Sequence, residues 1–176
     1  MLRNAASFIR EASGGLLQES KHIIRNAVAK VRKAATVSHP LNAEAARRAI
    51  SLGDSTGLAT VGIHLNVVAP GGMTTVLHSH EFVDEFIYIL SGAATVFLNE
   101  EEFSVAAGDF IGLPARGPSH SMRNTGTADL VYLVGGNRPV FDVCNYPKQG
   151  KRLYIYDSAN GRARDLVELG EIKAPG

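Results

Sequence analysis

Gly72-x5-His78-x-His80-x4-Glu85-x6-Gly92 places three metal-liganding side chains within eight residues, between two glycines that suit turns. No other feature constrains this chain as much. Residues i and i+2 of a strand point to one face, so His78 and His80 are expected to project inward together, with Ser79 facing away. The run Glu85–Leu90 is β-branched and aromatic and reads as the next strand, with Glu85, Ile87 and Ile89 on one face. A hairpin between the two runs would set Glu85 opposite the histidine pair. Glu81 and Asp84 read as polar turn residues, because connecting loops run over the surface.

A second run, Gly108-Asp109-x4-Pro114-x2-Gly117-x2-His120-x3-Asn124, supplies a fourth candidate ligand in His120. Three imidazoles and one carboxylate suit a divalent transition metal. Asp109 reads as a turn residue that bonds backbone.

The two runs resemble the paired motifs of the cupin superfamily. The first matches that family's G-x5-H-x-H-x4-E-x6-G pattern at every fixed position. The second departs by one residue, since both Ala115 and Arg116 separate Pro114 from Gly117. Further pieces from Ser38 to Asp157, among them His39-Pro40-Leu41-Asn42 and Tyr88-Ile89-Leu90-Ser91-Gly92, are similar to small single-domain bacterial cupins. The resemblance implies an all-β double-stranded β-helix, or jelly-roll barrel, with His78, His80, Glu85 and His120 as ligands of one divalent ion (Fe, Mn, Ni or Zn). It also implies a structural Asn124 and a homodimer, and it leaves the reaction open.

Composition agrees with one such domain. A chain of 176 residues buries one sizeable core, and 45% hydrophobic content with 18 glycines suits short strands and tight turns. A net charge of +1 offers no electrostatic case for nucleic acid. The single cysteine, Cys144, excludes an internal disulfide and reads as a buried filler. No apolar stretch has the length to span a bilayer, and no phosphate-cradling glycine loop with a following Lys-Ser/Thr occurs.

The chain divides into an N-terminal helical extension at 1–36, a connector at 37–57, the barrel at 58–157 and a C-terminal tail at 158–176. In residues 1–36, seven Lys and Arg outnumber two Glu. Ile23, Ala27 and Val31 recur at i and i+4, which predicts an amphipathic helix over 16–34. Gly14-Gly15 separates it from a shorter helix at 4–12. That extension reads as a helix packed on its own barrel or on a partner, in a cytoplasmic protein; a mitochondrial presequence is the alternative. The connector is expected to hold a helix over Ala43–Ile50, capped by Asn42, and a turn at Gly53-Asp54-Ser55. In the barrel, Val61, Ile63, Leu65 and Val67 alternate with Thr60, Gly62, His64 and Asn66. This predicts a half-buried strand with His64 on its polar face. Tyr88 reads as packing. The tail reads as a loose strand or coil.

Four protein ligands leave one or two open positions on an octahedral ion, which can take adjacent oxygens of a small-molecule ligand, or O2 with substrate. The expected function is therefore a small-molecule metalloenzyme, with dioxygenase-like chemistry on a small oxo or hydroxy acid favoured over isomerisation. The alternative is a non-catalytic cupin that binds a sugar or carboxylate beside an anchoring metal. Arg116, in the loop before His120, is the candidate clamp for a substrate carboxylate.

Overall fold

The computed structural model describes residues 20–170. The helix expected at 4–12, and the first residues of the one expected at 16–34, lie outside them. Among the described residues, thirteen strands carry the architecture: β1 (Thr36–His39), β2 (Asn42–Ser51), β3 (Val61–Val68), β4 (Ser79–His80), β5 (Glu85–Ser91), β6 (Ala93–Leu98), β7 (Glu101–Ala106), β8 (Phe110–Leu113), β9 (His120–Asn124), β10 (Leu130–Asn137), β11 (Phe141–Tyr146), β12 (Lys151–Ser158) and β13 (Gly161–Glu168). Two short helices, α1 (Ala27–Arg32) and α2 (Leu52–Thr56), and a 3₁₀ turn at Pro147–Gln149 complete it. No helix among the described residues is long and apolar enough to cross a membrane.

One sheet has the order β1-β2-β3-β10-β5-β8. Opposite it, β13-β12-β11-β4 and β7-β6-β9 are joined through residues 73–80, which bridge β9 at Met73–Arg123 and His78–His120. The core lies between the sheets, where Val68, Ile87, Ile89, Leu130 and Tyr132 meet Ala94, Val96 and Met122. This is the expected jelly roll.

The connector differs from expectation. Ala43–Ile50 is not a helix but the body of β2, paired with β3 from Arg48–Val67 to Ser51–His64. Its Ala-rich, Arg-rich sequence favours helix locally, but β3 would otherwise expose a row of unpaired backbone groups. Strand β2 satisfies them, and its small Ala45 and Ala49 flank Arg47 on one face. The expected turn at Gly53-Asp54-Ser55 is inside α2, which Ser51 caps by accepting from Asp54 N–H.

Strand β3 also corrects the reading of its two faces. Leu65 and Val67 do not point into the barrel; they pack outside it with Val131, beneath Val31 of α1. The polar alternates His64 and Asn66 point inward and line a cavity. Helix α1 makes this possible, because it shields the apolar outer face from water. The described part of the extension thus lies on its own barrel, tied there by Arg32 to Asp129 at 2.7 Å. The described part of the tail carries β13, which pairs with β12 along its whole length. Gly92 closes the β5–β6 turn at φ +93°, and a Cβ there would meet Leu130 Cα at 3.0 Å.

Candidate metal centre

Residues 73–80 run between β9 and β11, in the middle of the second sheet. His78 and His120 lie directly opposite each other and exchange both backbone hydrogen bonds, at 3.0 and 2.6 Å. Their rings are 4.4 Å apart. Two residues on, His80 sits opposite Cys144 of β11. Glu85 does not arrive by a hairpin from this strand. It opens β5 in the other sheet, between Leu113 and Gly136, and reaches the histidines across the barrel. Glu85 Oε2 is 3.4 Å from His80 Nε2 and 3.8 Å from His120 Nε2. The donor atoms of His78, Glu85 and His120 lie within 4.8 Å of one another. The ring of His80 is 5.0 Å from that of His78 and 6.3 Å from that of His120.

Each imidazole is held through its outer nitrogen. His78 Nδ1 bonds Val76 O at 2.8 Å, and His120 Nδ1 bonds Pro118 O at 3.2 Å. His80 Nδ1 bonds Asp142 Oδ2 at 2.6 Å. With each Nδ1 engaged by an acceptor, the neutral tautomer presents its Nε2 lone pair to the centre. His120 Nε2 is buried without a hydrogen-bond partner, and such groups are rare unless something else satisfies them. A divalent cation would do so, and His78, Glu85 and His120, with His80 Nε2 at 3.4 Å from Glu85, form a group that could hold one.

The charges reinforce this reading. Burial and neighbouring imidazoles drive the His78 pKa down to about 3, so it is neutral. Burial alone would also lower His80, but the Asp142 and Glu85 carboxylates outweigh it and raise the pKa to about 9. Burial would likewise raise Glu85, yet His120 and His80 hold its carboxyl far below the usual range. Cys144 Sγ lies within 4.8 Å of donor atoms of His78 and His80. Burial pushes its thiol up to about 12, so it is the poorer donor.

The other residues singled out in the sequence divide cleanly. Arg116 is turned away from the centre. Its side chain is 70% exposed, 3.7 Å from Glu81 and stacked 5.5 Å over the Phe82 ring. It absorbs the extra motif residue with a left-handed φ of +60°, while its backbone N–H donates to His80 O at 2.7 Å. Glu81 accepts from Asn145, and Asp84 accepts from the Ala115 N–H. Both secure loops. Asn124 is fully buried and donates to Val68 O and Ala128 O. Asp109 accepts from Ala106 N–H. Tyr88 is 37% exposed and outside the core.

Two cavities open beside the donors. One, of about 320 Å³, is lined by His78, Glu85 and His120 together with Arg47, Asn66, Thr74 and Tyr132. The other, of about 470 Å³, is lined by His80, Glu85 and Asp142 with Arg138, Arg162 and Arg164. His64, Glu85, Val134 and Arg164 border both. Sequence reasoning missed Asp142, Asn66 and these arginines. Asp142 carries a local signal in retrospect: a lone carboxylate at an inward position of an apolar strand.

Residues 64–136 match the family model of the cupin domain. The fold superposes on the crystal structure of a putative sugar phosphate isomerase from Acidithiobacillus ferrooxidans with a TM-score of 0.77 and 38% identity, over 89% of this chain and 97% of that one. It also superposes on a sugar phosphate isomerase of the cupin superfamily from Silicibacter pomeroyi, with a TM-score of 0.68 and 26% identity over 78% and 89%. An oxalate-binding protein of Thermotoga maritima is 39% identical over 65 residues, 37% of this chain and 53% of that protein. The chain spans about half the length of the curated relatives it matches. With the jelly roll, the paired motifs and a relative of this identity over nearly its whole length, the chain belongs to the cupin superfamily.

Proposed function

We propose that this chain is a metalloenzyme that isomerises a small hydroxylated carbonyl compound, with His78, His80, Glu85 and His120 as the ligands of one divalent ion. The observation that carries the reading is the inward set of Nε2 atoms, each fixed by a bonded Nδ1, around one buried carboxylate. A bound divalent cation supplies Lewis-acid polarisation of a carbonyl oxygen and a template for its neighbouring hydroxyl. The chain's own contribution is a polar wall. Tyr132, 3% exposed, and the unpartnered amide of Asn66, 1% exposed, offer hydrogen bonds to substrate oxygens. Burial lowers the His64 pKa, assisted by Arg138 and Arg47. This neutral imidazole between the two cavities is placed to carry a proton between adjacent carbons.

Isomerisation needs no co-substrate, whereas oxygenation of an oxo or hydroxy acid consumes O2. Likeness to a putative sugar phosphate isomerase over nearly the full chain supports the former. The test is proton NMR of aldose and ketose phosphates with metal-loaded protein in D2O, beside an oxygen electrode. Deuterium incorporation at the carbon next to the carbonyl, without O2 uptake, is the expected result. O2 uptake with oxo or hydroxy acids would move the reading to a dioxygenase. Tight ligand retention with neither signal would make it a binding module, as the name of the Thermotoga relative describes that protein. The homodimer expected for small cupins belongs to the same reading, and sedimentation of the full chain measures it.

Metal uptake is predicted to release a proton. The metal-free site holds one on His80 up to about pH 9, and a ligand must shed it. At pH 7.5, calorimetry in buffers of different ionisation enthalpy is expected to show about one proton released per ion. Metal-free stability follows by linkage. The raised His80 pKa stabilises the fold below pH 6.5, and that stability is lost as pH rises toward 9. The lowered His78 pKa acts oppositely: the unfolded chain binds a proton that the folded chain refuses, so stability falls as pH drops from 6.5 toward 3. The metal-free melting temperature should therefore peak near pH 6.5; a steady rise from pH 4 to 9 would contradict the His80 assignment, and a steady fall the His78 assignment.

A further inference from the structure

We infer that Arg47 and Arg164 form the subsite for a phosphate monoester, at the end of the substrate remote from the reacting carbonyl. Both side chains line the cavity that also holds His78, Glu85 and His120. They come from opposite sheets, Arg47 from β2 and Arg164 from β13, so the pair exists only in the closed barrel.

Charge balance decides the ligand class. Arg138 is matched by Asp54 at 2.6 Å, and Arg162 by Asp157 at 2.9 Å. Arg47 donates only to the backbone O of Thr74, at 3.1 Å. Among the described residues, neither Arg47 nor Arg164 has a carboxylate within 4.0 Å. Of the acidic groups beside them, Asp142 is paired with His80 at 2.6 Å, and Glu85 is already held by the imidazoles and would be neutralised further by a cation. Two uncompensated guanidiniums in a cleft call for about two negative charges, which a phosphate monoester carries on one group and a single carboxylate does not. A cavity of about 320 Å³ is of small-molecule size. In it the buried amide of Asn66 has neither its oxygen nor its nitrogen bonded, and a hydroxylated carbon chain between carbonyl and phosphate would supply its partners. This inference rests on the isomerase reading for the substrate's other end.

The test uses the full chain loaded with Zn(II), titrated calorimetrically with ribose 5-phosphate, ribose and inorganic phosphate. The ester is expected to bind about tenfold or more tighter than ribose, and inorganic phosphate to compete with it. Arg47→Gln and Arg164→Gln should each weaken ester binding by about tenfold while leaving ribose binding unchanged; the melting temperature should hold in Arg164→Gln and fall slightly in Arg47→Gln, which loses the bond to Thr74 O. Arg152→Gln makes the same charge change at a residue that bonds Asn145 and lines neither cavity, and should alter nothing. If a glutamine variant fails to fold, Arg47→Lys and Arg164→Lys take its place, with a several-fold loss confined to the ester. Equal affinity for ester and sugar, ester binding untouched in the arginine variants, or no ester binding at millimolar concentration overturns the subsite. Arginine-dependent ester binding without deuterium incorporation would leave the subsite standing and remove the isomerase. Deuterium incorporation with unchanged KM in the variants would do the reverse.

Discussion

A chain carrying Asp142→Ala is expected to bind its divalent ion roughly 10–100-fold more weakly than the parent. Asp142 is fully buried and is not among the four proposed ligands. It accepts from His80 Nδ1 at 2.6 Å and from the Phe82 N–H at 3.0 Å, so it sets both the ring's tautomer and the start of the loop leading to Glu85. Removal leaves His80 free to rotate and to carry its proton on either nitrogen. The metal-free protein should also lose roughly 2–3 kcal/mol, mostly from a buried donor left unpaired. The cost stays moderate because His80 can shed its extra proton once the carboxylate is gone. Affinity should be measured in chelator-buffered Ni(II) or Zn(II) at pH 9, where His80 of the parent is only about half protonated and the proton costs it only about a factor of two. Equal affinities there would show that the ring needs no carboxylate behind it. Asp142→Asn keeps the shape and should fall between the two.

Glu85→Gln is expected to cost more, abolishing stable metal retention. Glu85 is the only carboxylate among the four proposed ligands, and the imidazoles hold it ionised. A glutamine would bring N–H donors toward the lone pairs of His80 and His120, filling the centre with hydrogen bonds instead of an ion. Because a buried charge disappears together with its desolvation cost, metal-free stability at pH 8 should change by less than roughly 1–2 kcal/mol. The His80 pKa should fall, since one of the two carboxylates that raise it is removed. Elemental analysis after gel filtration is the measurement. About one ion per chain is expected for the parent and almost none for the variant; a full equivalent retained by the variant would place the ion elsewhere, with Cys144 beside His78 and His80 as the alternative.

Much of this molecule was legible in its sequence. The i, i+2 spacing of His78 and His80 put both rings on one side of a strand. The β-branched and aromatic run expected over Glu85–Leu90 is found as β5, Glu85–Ser91, within one residue. The glycine–histidine spacing of the second motif brought His120 to the centre even with an extra residue in its loop, because Arg116 takes up the slack with a left-handed turn.

What escaped has one physical root. Alternation reports that two faces of a strand differ, but not which of them meets the interior. In β3 the apolar face turned outward under α1, and the polar face with His64 and Asn66 turned inward to the cavity. For the same reason the helix-favouring sequence of β2 became a strand once β3 required a partner, and the unremarkable tail delivered Arg164 from β13.

The sequence alone determined the kinds of donor atom available and their local spacing, since both are properties of a few neighbouring residues. Only the tertiary structure decided that Glu85 meets the histidines across two sheets, that Asp142 orients His80, and that arginines from β2 and β13 share one cavity. These depend on segments far apart in the chain, 117 residues for Arg47 and Arg164, and the free energy of burying whole sheet faces against each other outweighs any local preference.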